Sequence, residues 1–382
     1  MAQIKFRLEG GAIPELVLIL INGEEPQRVT GDEDWVAPIS ISAEHVVFVT
    51  SDGYWEMVLP ASVVTASGKL LVVFPALPAS GPLGWWHHAH RATGPGRGKG
   101  MRIGIIDEAL APQLSSSCIS HIHNDGAAAW GSASYARALN PLTEHAHAVC
   151  SLIASRANAS NGYAGIAPEA EIFFAAASAD DSSRLSVPRV ESSIAFLAEN
   201  RQCDVLSISA GDLEDPSPAL ETAVNMAAEY GTLCFFAAGN TGVPLYPAIY
   251  PNCLAVAALG REGFAPPGTT IELIDNNQTV PLSVGEYYVW MYSARGPEID
   301  FCAPGVGVIW SREHHSAVIT YGTSFACPLA AATAVLVLQN DASYRSMNPD
   351  RRRYNYALGL LEDAANPLGE GDSHWKYGLL QL

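Results

Sequence analysis

What this 382-residue chain has little of narrows its reading before any motif is found. Only 16% of its residues are charged and bases are scarce, 21 Lys and Arg against 39 Asp and Glu, a formal charge of −18. Acidity spread along the chain argues against nucleic acid or an anionic membrane as partner and favours encounter with cationic peptides. The N-terminus lacks a basic stretch followed by an apolar segment, and no later run reads as approaching a membrane-spanning length. Nothing directs the chain out of the cell, so a cytoplasmic location is expected. Its seven cysteines are an odd number, set mostly in apolar patterns, and read as buried thiols of a reducing compartment. There is no Cys-x-x-Cys pair, and His88/His90, His145/His147 and His314/His315 lack spaced partner ligands, so no metal site and no cofactor are expected. No loop of alternating Asp and Asn stands out, which leaves a structural calcium undecided.

What is present is a large apolar complement, 48% of residues, enough for a sizeable core and a smaller second unit. Residues 1–82 carry short β-rich runs at Ile4–Leu8, Glu15–Ile21, Ile39–Ser42, His45–Val49, Tyr54–Leu59 and Lys69–Phe74. Gly, Asn-Gly, Asp-Gly and Pro signals separate them, which predicts a small antiparallel β-domain. Residues 83–99, with Pro, Gly and Trp85-Trp86-His87-His88, read as a linker whose tryptophan pair packs against one of the two domains. The remainder, 100–382, forms one larger unit.

Four segments of that unit end in a polar residue where chemistry is possible. Gly322-Thr323-Ser324-Phe325-Ala326-Cys327-Pro328 sets a serine on a tight turn at the head of an apolar helix, where first-turn amides and the helix dipole face whatever the hydroxyl attacks. Met101 to Asp107 is a buried-strand pattern tipped by a carboxylate, and Glu144-His145-Ala146-His147 precedes a helical apolar pattern. Leu233 to Asn240 is a second buried strand ending in an amide able to donate into a cleft. Each residue alone has an ordinary explanation: a cap for Ser324 or Asp107, a surface histidine for His145, a turn for Asn240.

In chain order the four read Asp107, His145, Asn240, Ser324, and the blocks that carry them resemble those of the subtilisin-like serine proteases. Gly-Ile-Ile-Asp, His-Ala-His-Ala-Val, Ala-Ala-Gly-Asn and Gly-Thr-Ser-Phe-Ala-Cys-Pro are each similar to a family block, from about residue 96 to the terminal Tyr377-Gly378-Leu379-Leu380. The resemblance implies an α/β subtilisin-like fold, a central parallel sheet flanked by helices, preceded here by the small β-domain. It implies a catalytic triad of Ser324, His145 and Asp107, with Asn240 and the Ser324 amide as the oxyanion site. It places Ser207, Ser209 and Gly211 on the strand that pairs with substrate, and Leu245 at the base of the primary specificity pocket, where it would leave room for small or modest apolar residues.

The departures are local. Ala146 and Ala148 replace the usual Gly and second His, and Glu108-Ala109 the usual small-Gly pair. His147 competes with His145 as the base, and Glu144 raises the related sedolisin type, against which Asn240 stands. Residues 261–290 are expected as an insertion, with a hairpin over Thr269–Val280. The expected function is a serine endopeptidase acting on protein or peptide substrates. The alternatives are a peptide-maturation protease or transpeptidase of the same fold, and a catalytically weak binding protein on that fold. The β-domain, which shows no helical periodicity, is read as an attached module able to bind a protein partner, with an inhibitory prodomain the less favoured role.

Overall fold

The structure is a computed structural model and describes residues 2–21, 27–30, 47–51, 53–66, 68–78, 83–108, 110, 122–124, 144–156, 162–178, 185–209, 216–311, 317–369 and 373–382. Its centre is a sheet in the spatial order Ile122–Asn124, Glu171–Ala176, Arg102–Asp107, Val205–Ile208, Leu233–Ala237, Cys253–Arg261, Phe301–Pro304, Gly378–Leu380, Ala365–Asn366. All neighbours pair in parallel except the last two. Val205–Ile208 and Leu233–Ala237 are buried at every position, as both-face coverage by helices demands. The chain lays Arg102–Asp107 first, builds to one side through Glu171–Ala176, then crosses back to build the other side. That reversal makes the carboxyl end of Arg102–Asp107 a topological switch point, where α/β sheets open their clefts.

Helices Val187–Glu199 and Pro218–Glu229 pack together, as do Glu144–Ala154 and Thr323–Asn340. Thr323–Asn340 has the length and apolarity of a membrane span, contrary to the sequence reading, but it is the core helix, buried from Ala326 through Leu336.

Three expectations about the rest of the chain are corrected. Residues 83–99 are no loose linker, since Trp85–Ala89 is helical; Trp85 and Trp86 pack against the larger unit as expected, both buried, with the Trp85 indole donating to the Gly307 carbonyl at 3.0 Å. Within the insertion, Thr270–Asn277 is a helix and not a hairpin. Thr269 caps it by accepting from the Glu272 amide, a Thr-x-x-Glu start signal, while Ile271 and Ile274 bury one face. The hairpin comes later, Thr279–Pro281 against Tyr287–Trp290, and it extends the sheet from Cys253–Arg261.

The N-terminal unit has its own apolar cluster, built from alternating residues such as Val17, Ile19, Ile21, Val47 and Val49. Its four-stranded sheet, Gln27–Thr30, Leu16–Ile21, Val47–Thr50 and Met57–Leu59, is antiparallel. The first and last strands, Ala2–Leu8 and Gly68–Phe74, pair in parallel instead, joined by a crossover that includes the short helix Ala61–Thr65. The strand expected at Ile39–Ser42 lies outside the described residues.

Candidate active site

Asp107 ends its strand almost wholly buried, at 1% exposure. Its Oδ1 accepts from the Glu108 amide at 2.8 Å and from His145 Nδ1 at 2.8 Å. A carboxylate only accepts, so the imidazole proton sits on Nδ1 and Nε2 keeps its lone pair when the ring is neutral. His145 is the second residue of Glu144–Ala154. Two residues along a helix turn about 200°, and His147 accordingly faces the core, its ring edge-on to Trp310 at 5.0 Å. The His145 ring lies 5.2 Å from that of Phe325, the residue after Ser324. Among the described residues the Ser324 hydroxyl makes no hydrogen bond to His145, the looser geometry common in sites without substrate.

The start of Thr323–Asn340 explains the rest. Gly322 caps it at φ 137, a conformation suited to glycine. Among the first amides, Thr323 donates to Asn240 Oδ1 at 3.0 Å, and Phe325 and Ala326 to the Gly322 carbonyl, while Ser324 N–H has no partner among the described residues. Pro328 lacks the amide that would bond the Ser324 carbonyl, and Ser209 fills the gap, its hydroxyl donating there at 3.0 Å. The Thr323 hydroxyl accepts from Gly239 N–H at 3.3 Å and donates to Asn240 Oδ1 at 2.9 Å. Because a backbone N–H can only donate, Oδ1 must be the Asn240 atom facing Thr323, which turns the amide nitrogen toward the other side. An oriented side-chain amide beside an open backbone N–H is the makeup of an oxyanion site.

Ser207 is placed differently from its expected role: it is buried at 1% in a strand paired on both edges, its hydroxyl 3.7 Å from Cys327 Sγ. Cys327 lies one helical turn below Ser324, so Ser207 sits one layer deeper than Ser209 and lines no cleft. Gly211 and the Glu144 side chain lie outside the described residues, and Leu245 is half-buried. Sequence reasoning missed Thr323 as a support, although the Gly-Thr-Ser turn contained it, and passed over Glu108 as a charge.

Burial opposes the His145 cation, but the Asp107 carboxylate, its hydrogen bond and Glu108 outweigh it and hold the imidazole up at about 9. Burial first, then Asp107, pushes Glu108 up to about 7. Among the described residues no group of His, Cys, Asp and Glu is placed to hold a metal ion.

The subtilase family model matches residues 98–378, more than half the chain, and takes in all four site residues. This chain belongs to the subtilase family, the subtilisin-like serine proteases. Among similar subtilases, the minor extracellular protease Epr of Bacillus subtilis is 28% identical over 74% of this chain. The thermostable alkaline protease of Halalkalibacterium halodurans is 30% identical over 69% of it. The matched stretches span 38% and 63% of those two proteins, less than two thirds of either. The fold is also that of the self-cleaved protease domain of PatA, with a TM-score of 0.53 and 22% identity over 75% of this chain and 94% of that one. The N-terminal unit falls before the matched residues of this subtilase.

Proposed function

We propose that this subtilase is a serine endopeptidase in which Ser324, His145 and Asp107 hydrolyse peptide bonds through an acyl-enzyme. Ser324 Oγ attacks the carbonyl carbon, and His145 Nε2 takes its proton and returns it to the leaving amine. Asp107 holds the ring in the tautomer this requires and stabilises its cation. The Asn240 amide and Ser324 N–H receive the negative charge that develops on the carbonyl oxygen. The observation that carries the reading is the 2.8 Å Asp107–His145 bond, on a ring lying against the residue that follows Ser324.

Protein or peptide chains are the proposed substrates, with water resolving the acyl-enzyme. Leu245 narrows the primary pocket toward small or modest apolar residues. Six described cysteines are buried free thiols, which supports a reducing, cytoplasmic setting. A fluorophosphonate probe tests the assignment. Ser324→Ala and His145→Ala should abolish labelling with the fold retained, and His147→Ala should keep it. Labelling that survives in His145→Ala and vanishes in His147→Ala would reverse the base.

A further inference from the structure

The segment Gly53–Val58 belongs by sequence to the N-terminal unit and by contact to the catalytic one. Val58 N–H donates to the Gly268 carbonyl and Thr270 N–H to the Glu56 carbonyl, both at 3.0 Å, with Met57 bridging Thr269 in antiparallel fashion. A helix start leaves its first amides without intrahelical partners, and here the N-terminal unit supplies one: Glu56 accepts the Thr270 amide through its backbone and the Thr270 hydroxyl through Oε1, at 2.6 Å. Gly268 has φ +82, and a side chain there would press on Met57 at 3.2 Å. Trp55, 1% exposed, packs edge-on to Phe264 at 5.4 Å and joins the core of the catalytic unit, not the cluster of its own unit. Phe264 in turn contacts Trp85 at 6.2 Å, so one aromatic group ties the N-terminal unit, the insertion and the segment before the sheet.

The same segment reaches the nucleophile. Gly53 N–H donates at 3.0 Å to the carbonyl of Ala317, first residue of the strand Ala317–Tyr321, which runs straight into Gly322 and Ser324. Phe264 and Ile271, the latter in the helix whose first amide Glu56 accepts, lie so close to Gly307 that a side chain there would meet them at 3.2 and 3.3 Å, and Gly307 belongs to the strand Val306–Ser311 that pairs antiparallel with Ala317–Tyr321. Burial first and then the Glu56 carboxylate push the Tyr321 phenol up. Removing the N-terminal unit would uncover Phe264, leave the Thr270 amide and hydroxyl without their Glu56 acceptors and release one end of the nucleophile's strand.

We propose that the N-terminal unit is a permanent part of the catalytic apparatus, clamped through Gly53–Val58, with Glu56 a positioning residue for the strand that carries Ser324. This is the opposite of a removable inhibitor. It rests on Ser324 being the nucleophile. Fluorophosphonate labelling of the intact, unsubstituted chain checks that first, and its absence would count against the nucleophile itself.

The test engineers a site-specific protease site into the full chain after Pro78, cuts the folded protein, and follows both fragments by gel filtration and by labelling rate. The fragments should co-elute with labelling retained. In the cut Trp55→Ala protein they should separate, and the catalytic fragment should label more slowly by about tenfold or more, the scale of a small misplacement of a reacting group. Separation with labelling unchanged or faster would overturn the proposal. In the uncut chain Glu56→Ala should slow labelling per folded molecule well below the melting temperature, and Glu56→Gln should restore much of the rate. A purely structural glutamate would lower melting and leave that rate alone, which would equally overturn it.

Discussion

Two buried histidines outside the proposed triad make the stability of this protein depend on pH with a sign and size that can be worked out. His87 and His90 are both fully buried. Gly84 N–H donates to His87 Nδ1 at 3.0 Å, whereas His90 Nδ1 donates to the Leu380 carbonyl at 2.8 Å, so both rings are held neutral in opposite tautomers. Burial first, with Arg97 adding to it, pulls His87 from 6.5 down to about 3, and burial pulls His90 from 6.5 down to about 4. Below 6.5 the unfolded chain takes up protons that the folded chain refuses, so folding stability falls with pH from there until the folded values are reached. At pH 5 each ring costs about 1.4 kcal/mol times the 1.5 pH units below 6.5, about 2 kcal/mol, or about 4 for the pair. That is a large fraction of a stability of about 5 to 15 kcal/mol. Urea unfolding of the inactive Ser324→Ala protein at pH 8, 7, 6 and 5 measures it. His90→Gln, which keeps a donor for Leu380, should be less stable at pH 8 yet lose about 2 kcal/mol less between pH 8 and 5 than the parent. Glu108, raised to about 7, and His145, raised to about 9, act with the opposite sign, but both are common to the two proteins and cancel in the difference. Parallel pH dependences in parent and variant would refute the reasoning.

The remaining predictions concern the cleft. His145 must be neutral to act as base, so kcat/KM should climb with pH toward about 9, and Glu108→Gln, by removing a neighbouring negative charge, should move that limb to lower pH; a profile indifferent to Glu108 would remove it from the electrostatics. Thr323→Val keeps the backbone bond to Asn240 and loses the hydroxyl bond, so kcat should fall about tenfold with KM little changed, measured on a chromogenic peptide. Leu245→Gly should extend cleavage toward Phe and Leu in a peptide library, by about 1–3 kcal/mol per fitted methylene-scale contact; cleavage by the parent mainly after Phe, Tyr, Arg or Lys would refute the narrow pocket.

Residues that announce themselves locally were legible. Asp107 and Asn240 each close a buried-strand pattern, and Ser324 opens an apolar helix, so chain order and local pattern nominated them. Residues whose role depends on depth or facing were not. Ser207, in the strand Val205–Ile208, and Ser209, just past its end, face the same helix, yet only packing against Cys327 or against the Ser324 carbonyl separates them. The choice between His145 and His147 turned on which helix face meets Asp107. Thr269–Val280 reads as a hairpin because its β-branched residues and Asn-Asn pair outweigh a start signal four residues long. Trp85 to His90 looked like a linker because turn-forming neighbours hid side chains that are core. Parallel pairing of the first and last strands of the N-terminal unit has no local signature, since it is set by what the crossover allows.

Between Asn240 and Ser324 the chain makes an excursion of 84 positions (324 − 240), long enough to hold the whole insertion. Thr323 stitches the two ends of that excursion with two hydrogen bonds to a single oxygen. The Ser324 turn and the Asn240 amide therefore move as one part, whatever is threaded between them. Loops inside the excursion can be lengthened, exchanged or recruited as mounting points for another unit without retuning the distance between the proposed nucleophile and its proposed oxyanion partner. Such a joint lets a protease acquire new surroundings while its chemistry stays fixed.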